Sequence, residues 1–323
     1  MTNTKKPLDT SGLPDFIIGG AMKSGTGTLD KILCHHEDVF IPDGEIHFFS
    51  VDDIKQHPAF FHRSRSKWTV PNYNEDFDLY LSWYQSFFTD ASSSQVIGED
   101  STIYLASEKA PYRIAELLPD VHLIFILRDP VERAYSHYWH GLQRGRMVYG
   151  FEDALQYGHP TLINRGFYRK QLERYLDAFS SSQITVILFE DFISNMQACV
   201  DRVCRGIGLD SSIDLRAVDT DERNASRAPR WINFLIWQNY VFRHRTDGRH
   251  ARLPPTVTTS EPTLPERVVD SINFRLRYLN LTKNKPRAMS SRARSFLQRL
   301  YAKENDGLSS LIGIDVSNYW AYM

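Results

Sequence analysis

Short, almost purely apolar runs separated by helix-like segments are the feature that most constrains the fold of this chain. The clearest of these apolar segments are Val121 to Leu127 and Ile184 to Phe189. Shorter ones occur at Phe16 to Gly20 and at Val96-Ile97. Runs of this length without polar alternation are typical of strands that are buried on both faces. Because helical segments lie between them, the pattern predicts an α/β fold built on a parallel, doubly wound sheet flanked by helices.

The segments between the apolar runs carry helix signals. Ala110 to Leu118 is one candidate helix, and Asp129-Pro-Val-Glu132 combines an N-cap residue with proline at the first helical position. Apolar residues recur at positions 172, 175, 176 and 179, which is the spacing of one helix face. In doubly wound sheets ligands bind beyond the carboxyl ends of the strands, so we expect the functional residues there.

Composition excludes several classes of protein. Hydrophobic residues make up 42% of the 323 residues, too many for a disordered chain. Lys and Arg number 38 against 39 Asp and Glu, and the resulting net charge of −1 argues against a general nucleic-acid binder. No apolar run approaches the ~18 residues of a membrane span, and the first residues lack the apolar core of a secretory signal. The three cysteines match no disulfide framework and no zinc pattern, so the sequence predicts a cytoplasmic protein without a metal site.

Two stretches fit the alternation of strands and helices poorly. Residues 51–90 are rich in aromatic and polar residues, and residues 222–290 hold an aromatic and basic segment followed by a Pro/Thr-rich one. We interpret both as helical or irregular insertions that form a lid on a single domain covering residues 14–323, preceded by a flexible N-terminus over residues 1–13. The aromatic and basic segment from Arg223 to Arg252 lines the acceptor site, joins subunits or touches a membrane surface, unless it is simply a packed helix with solvated charges.

A glycine-rich turn between the first strand and the next helix, Gly19 to Thr28, is the strongest candidate for a binding site. Its glycines allow a tight turn, and the backbone N–H groups at a helix N-terminus can hold an anion. Gly20 and Gly25 have the spacing of a Walker A loop, but Thr26 stands where that motif requires lysine, and the lysine is Lys23 instead. This mismatch argues against a nucleotide kinase or hydrolase, while an ordinary βα turn stays open.

Four segments in order resemble the sulfotransferases that use 3′-phosphoadenosine 5′-phosphosulfate (PAPS). Lys23-Ser-Gly-Thr-Gly-Thr28 resembles their 5′-phosphosulfate loop, and Gly44-Glu-Ile-His-Phe-Phe49 resembles the Lys-Glu-x-His-Phe-Phe motif of the heparan sulfate branch. Leu127 to His137 resembles the 3′-phosphate segment, and Gly166 to Leu176 resembles the Gly-x-Tyr helix of that branch. Together the four segments cover roughly residues 14–205 and identify the chain as similar to this family and its bacterial relatives.

The resemblance implies a P-loop-like fold and transfer of a sulfuryl group from PAPS to a hydroxyl or amine, without a metal. Lys23 would stabilise charge on the departing diphosphate, and Glu45 or His47 would take the proton of the acceptor. At position 47, a packed, structural histidine is an equally open interpretation. The donor-binding residues that the resemblance implies are Lys23, Ser24, Gly25, Thr26, Gly27, Thr28, Arg128, Ser136, Tyr168, Lys285 and Arg287. Tyr168 either contacts the nucleotide or belongs to the core. Lys285 and Arg287 stand in a basic segment that either closes over the 3′-phosphate or is a solvated turn.

Two departures from the family pattern concern the acceptor. Gly44 replaces the lysine of the second motif, and Asp100 stands where the branch often has another lysine. We therefore expect a carbohydrate or small-molecule acceptor that is not a polyanionic glycan, with a cationic group near Asp100 as one option. Two further alternatives remain at this point: a kinase or hydrolase on the same architecture, and a non-catalytic relative that only binds a nucleotide. We expect no nucleic-acid partner, and assembly into a homo-oligomer is left open.

Overall fold

A computed structural model describes residues 12–60, 62–64, 67–209, 213–218, 228–243, 252–257, 263–282, 284 and 286–323. The strands are β1 (Phe16–Gly20), β2 (Val39–Phe40), β3 (His62–Ser64), β4 (Lys67–Thr69), β5 (Val96–Asp100), β6 (His122–Leu127) and β7 (Ile184–Leu188). Five of them form one sheet in the order β2-β5-β1-β6-β7, in which every pair is parallel. β3 and β4 form a separate antiparallel pair. The predicted parallel α/β architecture is confirmed.

Helices separate these strands along the chain. They are α1 (Thr26–Leu33), α2 (Phe77–Gln85), α3 (Ala110–Leu117), α4 (Pro130–Gln143), α5 (Phe151–Tyr157), α6 (Thr161–Asn164), α7 (Tyr168–Ala178), α8 (Phe189–Ser194), α9 (Met196–Gly206), α10 (Ile232–Val241), α11 (Leu264–Asn280), α12 (Ser291–Glu304) and α13 (Leu308–Ile312). α4 begins as predicted, because the carboxylate of Asp129 accepts a hydrogen bond of 2.8 Å from the backbone N–H of Val131. Such a bond satisfies one of the N–H groups that a helix start leaves without a partner.

The sheet is buried on both faces. In β6, Leu123, Phe125 and Leu127 face one hydrophobic cluster, whereas Ile124 and Ile126 face the other. The first cluster includes buried side chains of α2, α3 and α7, and the second includes those of α1 and α9. This double burial is the physical reason why the strands read as continuous apolar runs in the sequence.

The carboxyl ends of three neighbouring strands determine where the site lies. β1 stands between β5 and β6, with Ile18 paired to Asp100 on one side and to Ile124 on the other. The segments that follow these strands carry Lys23, Thr102 and Arg128. Parallel pairing therefore brings residues from three distant parts of the sequence to one edge of the sheet.

Part of the stretch 51–90 belongs to the core. On α2, Tyr84 is fully buried and its ring stacks on Phe48 with the ring centroids 4.3 Å apart. Whether the rest of the stretch, or residues 222–290 with α10 and α11, moves as a lid stays a prediction. Within the described ranges, no helix has the length and apolar character needed to cross a membrane.

Candidate functional site

The loop after β1 and the start of α1 have the backbone geometry of an anion-binding turn, which is the role that the sequence predicts for them. Gly25 caps α1 with a φ of +89°, a backbone conformation that favours glycine, and a Cβ there would lie 3.1 Å from the ring of Phe189. Lys23 also has a positive φ, of 72°. Because the helix begins at Thr26, the first N–H groups, including those of Thr26 and Gly27, have no carbonyl of the helix to bond. They are available to a negatively charged ligand.

The hydroxyl of Ser24 supports this interpretation. Ser24 is fully buried, and its Oγ has no hydrogen-bond partner among the described residues. A buried polar group without a partner is unfavourable by about 1–3 kcal/mol. A phosphate or sulfate oxygen in this loop would provide that partner. The residues present therefore fit the phosphosulfate end of PAPS.

Lys23 lies among charged groups that come from other elements. Its pKa is lowered, first by burial and then by the positive charges of Arg128 and Arg144, while Glu45 opposes the shift. Arg128 donates a hydrogen bond of 3.2 Å to the carbonyl oxygen of Lys23, and its guanidinium lies 4.6 Å from the ring centroid of Phe189. The structure thus joins the loop after β1 to the end of β6, as the sequence motifs predict.

Glu45 and His47 also come together, but not through an extended strand. Glu45 Oε2 lies 2.9 Å from His47 Nε2, and Glu45 Oε1 accepts a hydrogen bond of 2.7 Å from the hydroxyl of Thr102. His47 has a φ of 62° and precedes a turn of 3₁₀-helix over Phe48–Ser50, so the segment that carries the pair is not extended. His47 is fully buried, whereas the side chain of Glu45 is 37% exposed.

A buried serine and glutamate support this turn. The Ser101 hydroxyl accepts hydrogen bonds from the backbone N–H groups of Ile46 (3.2 Å) and His47 (3.1 Å), and donates one of 2.6 Å to Glu99. The hydroxyls of Tyr84 and Tyr104 also donate to Glu99, each at 2.6 Å. Burial raises the pKa of the Glu99 carboxyl, although these hydroxyls lower it. The end of β5 therefore fixes the backbone that carries Glu45 and His47.

Asp100 and, beyond it, Asp30 place further carboxyl groups on the side of the site where Glu45 lies. The pKa of Asp100 is raised well above its ordinary value, first by burial and then by the charges of Glu45 and Asp30. The Asp100 Oδ1 atom is buried without a hydrogen-bond partner among the described residues. Burial and the charge of Asp43 raise the pKa of Asp30 to about 6.

Basic residues that the sequence analysis missed stand on the other side. His140, on α4, has a pKa lowered to about 3, first by burial and then by the positive charges of Lys23, Arg144 and Arg146. A signal existed for His140, because it lies one helical turn after Ser136, which the resemblance did select. Arg144 and Arg146 follow the end of α4 and match no part of the quoted motifs.

Arg165 is a fourth basic residue that the sequence motifs did not single out. It is buried, its Nε and Nη2 groups donate hydrogen bonds of 2.9 Å to the side chain and backbone of Gln56, and burial lowers its pKa to about 9. The charge of Glu45 opposes that shift, so the guanidinium lies near the carboxylate. Its position directly before Gly166 in the fourth motif was the available signal.

The remaining predicted donor residues are placed differently. Tyr168 is fully buried and its hydroxyl donates a hydrogen bond of 2.8 Å to the carbonyl of Arg128, so it supports the strand end from within the core. Ser136 is partly buried on α4. Arg287 is exposed, and its carbonyl oxygen accepts a hydrogen bond of 2.6 Å from Tyr135 on α4. Lys285 lies outside the described residues. Nucleotide contacts by these four residues stay predictions.

The described part of the chain includes no group of three or more His, Cys, Asp or Glu side chains that could hold a metal ion.

Comparisons with known proteins agree with the motifs. The model of the sulfotransferase family matches residues 14–212. The bifunctional heparan sulfate N-deacetylase/N-sulfotransferase 4 of Mus musculus is 30% identical over 220 residues, which is 61% of this chain and 22% of that protein. The heparan sulfate glucosamine 3-O-sulfotransferase 3B1 of Homo sapiens is 29% identical over 206 residues, 61% of this chain and 46% of that protein.

Solved structures agree with the fold. A sulfotransferase from Alicyclobacillus acidocaldarius superposes with a TM-score of 0.58 at 26% sequence identity, over 95% of this chain and 98% of that one. The chain spans less than half the length of the curated relatives described above. Since the family model covers well over half of the 323 residues, the chain belongs to the sulfotransferase family.

Proposed function

We propose that the chain transfers a sulfuryl group from PAPS to a hydroxyl or amine of a carbohydrate or small-molecule acceptor. The observation that carries this proposal is the buried, unpartnered hydroxyl of Ser24 in a loop that also presents Lys23. Membership in the family and the PAPS-like motifs support the choice of donor. A kinase or hydrolase would need the Walker A lysine, and Thr26 stands in its place.

The donor side of the reaction uses electrostatic positioning. The N–H groups at the start of α1 and the Ser24 hydroxyl hold the 5′-phosphosulfate, and Arg128 with Ser136 holds the 3′-phosphate. As the bond between sulfur and the bridging oxygen breaks, negative charge develops on the leaving diphosphate, and Lys23 stabilises that charge. A new bond forms between sulfur and the acceptor atom, and adenosine 3′,5′-diphosphate leaves.

Glu45 is the base in this proposal, and His47 positions it. The acceptor must reach the base, and the Glu45 carboxylate is partly exposed whereas His47 is fully buried. The 2.9 Å contact with His47 and the hydrogen bond from Thr102 hold both oxygens of the Glu45 carboxylate. The proton of the acceptor hydroxyl or amine moves to Glu45 as the acceptor attacks sulfur.

The acceptor side carries both signs of charge. The buried Asp100 oxygen lacks a donor, and an acceptor hydroxyl or ammonium group would supply one. Arg144 and Arg146 provide positive charge near Lys23 from the end of α4, in place of the family lysines that this chain lacks. We propose an acceptor that is neutral or cationic where it meets Asp100, because an anionic group there would be repelled by the Glu45 carboxylate and would supply no hydrogen-bond donor to Asp100.

Calorimetry tests the donor site directly. Adenosine 3′,5′-diphosphate should bind without added metal, and ATP with Mg²⁺ should not compete with it. Lys23→Ala should reduce turnover of PAPS by about 10²-fold or more, as expected when transition-state charge loses its partner. Lys55→Ala, which removes an exposed lysine paired with Glu108, is the matched control and should leave turnover unchanged. Binding of ATP with Mg²⁺ and not of the diphosphate would reject the proposal in favour of the kinase class.

The base and the acceptor are tested by kinetics. Glu45→Gln should lower kcat by about 10²–10⁴-fold while binding of adenosine 3′,5′-diphosphate is retained. His47→Asn should lower kcat less than Glu45→Gln does, because the carboxylate that accepts the proton is retained and only its positioning contact is lost. A panel of neutral sugars, amino sugars and a sulfated glycan, assayed with labelled PAPS, tests the acceptor. A sulfated glycan as the best acceptor contradicts the assignment at Asp100, and no turnover of any acceptor with intact diphosphate binding favours the non-catalytic alternative.

A further inference from the structure

α11 buries polar side chains and exposes apolar ones, which is the reverse of an ordinary surface helix. Its buried residues are Asn273 and Asn280, both polar. Its apolar and aromatic side chains are exposed instead, by 50–78% of their surface: Leu264, Val268, Ile272, Phe274, Tyr278 and Leu279. An ordinary surface helix places its apolar stripe on the core. The outer face of α11 therefore has the composition of a face that is covered by something else.

The polar interior of α11 explains why it cannot rotate to hide these side chains. Gln238 of α10 is fully buried and donates hydrogen bonds to the backbone carbonyl (2.8 Å) and the side-chain oxygen (2.7 Å) of Asn273. Asn280 accepts a bond from the backbone N–H of Trp231 at 2.9 Å and donates one to its carbonyl oxygen at 3.0 Å. Rotation would leave these buried groups unpaired, at the cost of several hydrogen bonds.

α10 adds aromatic side chains to the exposed surface. Trp231, at its N-cap, is 61% exposed, and Trp237 and Tyr240 on the helix are 56% and 54% exposed. Arg230 lies over the ring of Trp231 and Arg243 over that of Tyr240, with guanidinium carbons 5.7 and 4.3 Å from the ring centroids. We call the exposed apolar and aromatic side chains of α10 and α11, with Trp231, the α10–α11 face. Large exposed apolar patches of this kind mark interaction sites.

Charge indicates what covers this face. The described residues 228–243 and 263–282, which carry α10 and α11, contain five arginines against two acidic residues, a net charge of +3, in a chain whose total is −1. Exposed arginines, Arg267 and Arg275, stand on α11 among its apolar side chains. Two copies meeting through this face would bring two surfaces of net charge +3 together, which disfavours a second copy as the occupant. An anionic partner complements the charge.

We propose that the α10–α11 face docks on the surface of an anionic lipid bilayer. Interfacial helices combine Trp, Phe and Leu, which enter the boundary between headgroups and acyl chains, with Lys and Arg, which meet anionic headgroups. A soluble polyanion would use the arginines but would leave Phe274, Leu279 and Trp237 in water, so the apolar part favours a bilayer. The inference is independent of the proposed sulfuryl transfer, because it uses none of the residues around Lys23.

Vesicle co-sedimentation of the full chain tests the proposal. Vesicles of phosphatidylcholine with 30% phosphatidylglycerol should carry the protein down, whereas pure phosphatidylcholine vesicles or 0.5 M salt should reduce binding at least tenfold. The double variant Phe274→Ser/Leu279→Ser should also lose at least tenfold in partitioning, with an unchanged melting temperature because both side chains are exposed. Tyr157→Ser/Ile193→Ser, which changes two residues of similar exposure on α5 and α8, is the matched control and should bind as the original chain does.

Three results would overturn the proposal. The first is no sedimentation with anionic vesicles. The second is a concentration-dependent dimer of the original chain that the Phe274→Ser/Leu279→Ser variant does not form, while vesicles bind neither the original chain nor the variant. That result would make a second copy the occupant. The third is binding to vesicles that the apolar substitutions do not affect and that a soluble sulfated polymer removes completely, which would make the surface a polyanion site.

Discussion

Replacing Ser101 by alanine removes a hydroxyl that no other group can replace. Ser101 is fully buried, and its Oγ accepts two hydrogen bonds from the backbone of Ile46 and His47 and donates one to Glu99. The substitution leaves two buried N–H groups without a partner and removes one of the two hydroxyls that donate to Glu99 Oε1. At about 1 kcal/mol for each of the two longer bonds and about 1–2 kcal/mol for the bond to the carboxyl, the loss is about 3–4 kcal/mol.

Urea unfolding followed by circular dichroism measures this loss. The midpoint should fall while the m-value stays constant, because the denatured state and the buried area hardly change. Turnover should fall more than the affinity for adenosine 3′,5′-diphosphate, since the turn that carries Glu45 loses its support while the loop after β1 does not. Ser86→Ala is the control: its hydroxyl donates to the carbonyl of Trp83 at an exposed helix end, and its removal should cost below ~1 kcal/mol. A loss for Ser101→Ala no larger than for Ser86→Ala would refute the reasoning.

Three further substitutions test the site. Ser24→Ala should leave the unfolding free energy equal or slightly higher, because an unpartnered hydroxyl is removed, yet weaken binding of adenosine 3′,5′-diphosphate about tenfold in calorimetry; unchanged affinity would contradict the assignment. Asp30→Asn should stabilise the protein by about 1–2 kcal/mol at pH 7 and by little at pH 4 in urea titrations. The folded-state pKa of Asp30 is about 6, which is higher than its unfolded value, so the native state loses stability as the pH rises from 4 to 6. An equal effect at both pH values would contradict the burial of that carboxyl. Tyr168→Phe should cost about 1 kcal/mol of stability through the lost bond to Arg128 and change diphosphate affinity little; a loss of affinity without a loss of stability would instead place Tyr168 on the nucleotide.

Most of the central sheet and the start of α4 could be predicted from the sequence, because interactions between residues close together in the chain determine them. Strands buried on both faces must be apolar throughout, so β1, β6 and β7 were visible within one residue of their ends. Asp129 and Pro130 marked the start of α4 for the same reason, since a cap acts within one turn. The two-residue strand β2 was missed because so short an edge strand carries no periodic signal. A cytoplasmic location and the oligomeric state stay predictions.

The residues of the candidate site also divide into those that local sequence predicted and those that tertiary contacts placed. The glycine-rich loop with Lys23 is contiguous, so its residue types and spacing alone were enough to predict an anion site, and anion binding there stays a prediction. The second motif singled out both Glu45 and His47, but their contact could not be predicted from it, because the left-handed turn at His47 depends on Ser101, which follows β5 and lies more than 50 residues away.

Tertiary structure alone decided which charges surround the reacting groups. His140 and Arg144 lie near Lys23 because α4 follows β6 along the chain and β6 pairs with β1 in the sheet. The spacing of these residues in the sequence does not indicate that they are close. The inversion of α11 was hidden for a related reason. Its apolar residues predict a buried face, and only the hydrogen bonds of Asn273 and Asn280 to α10 turn that face outward. Sequence determines which residues prefer burial, whereas the packing partners determine which of them obtain it.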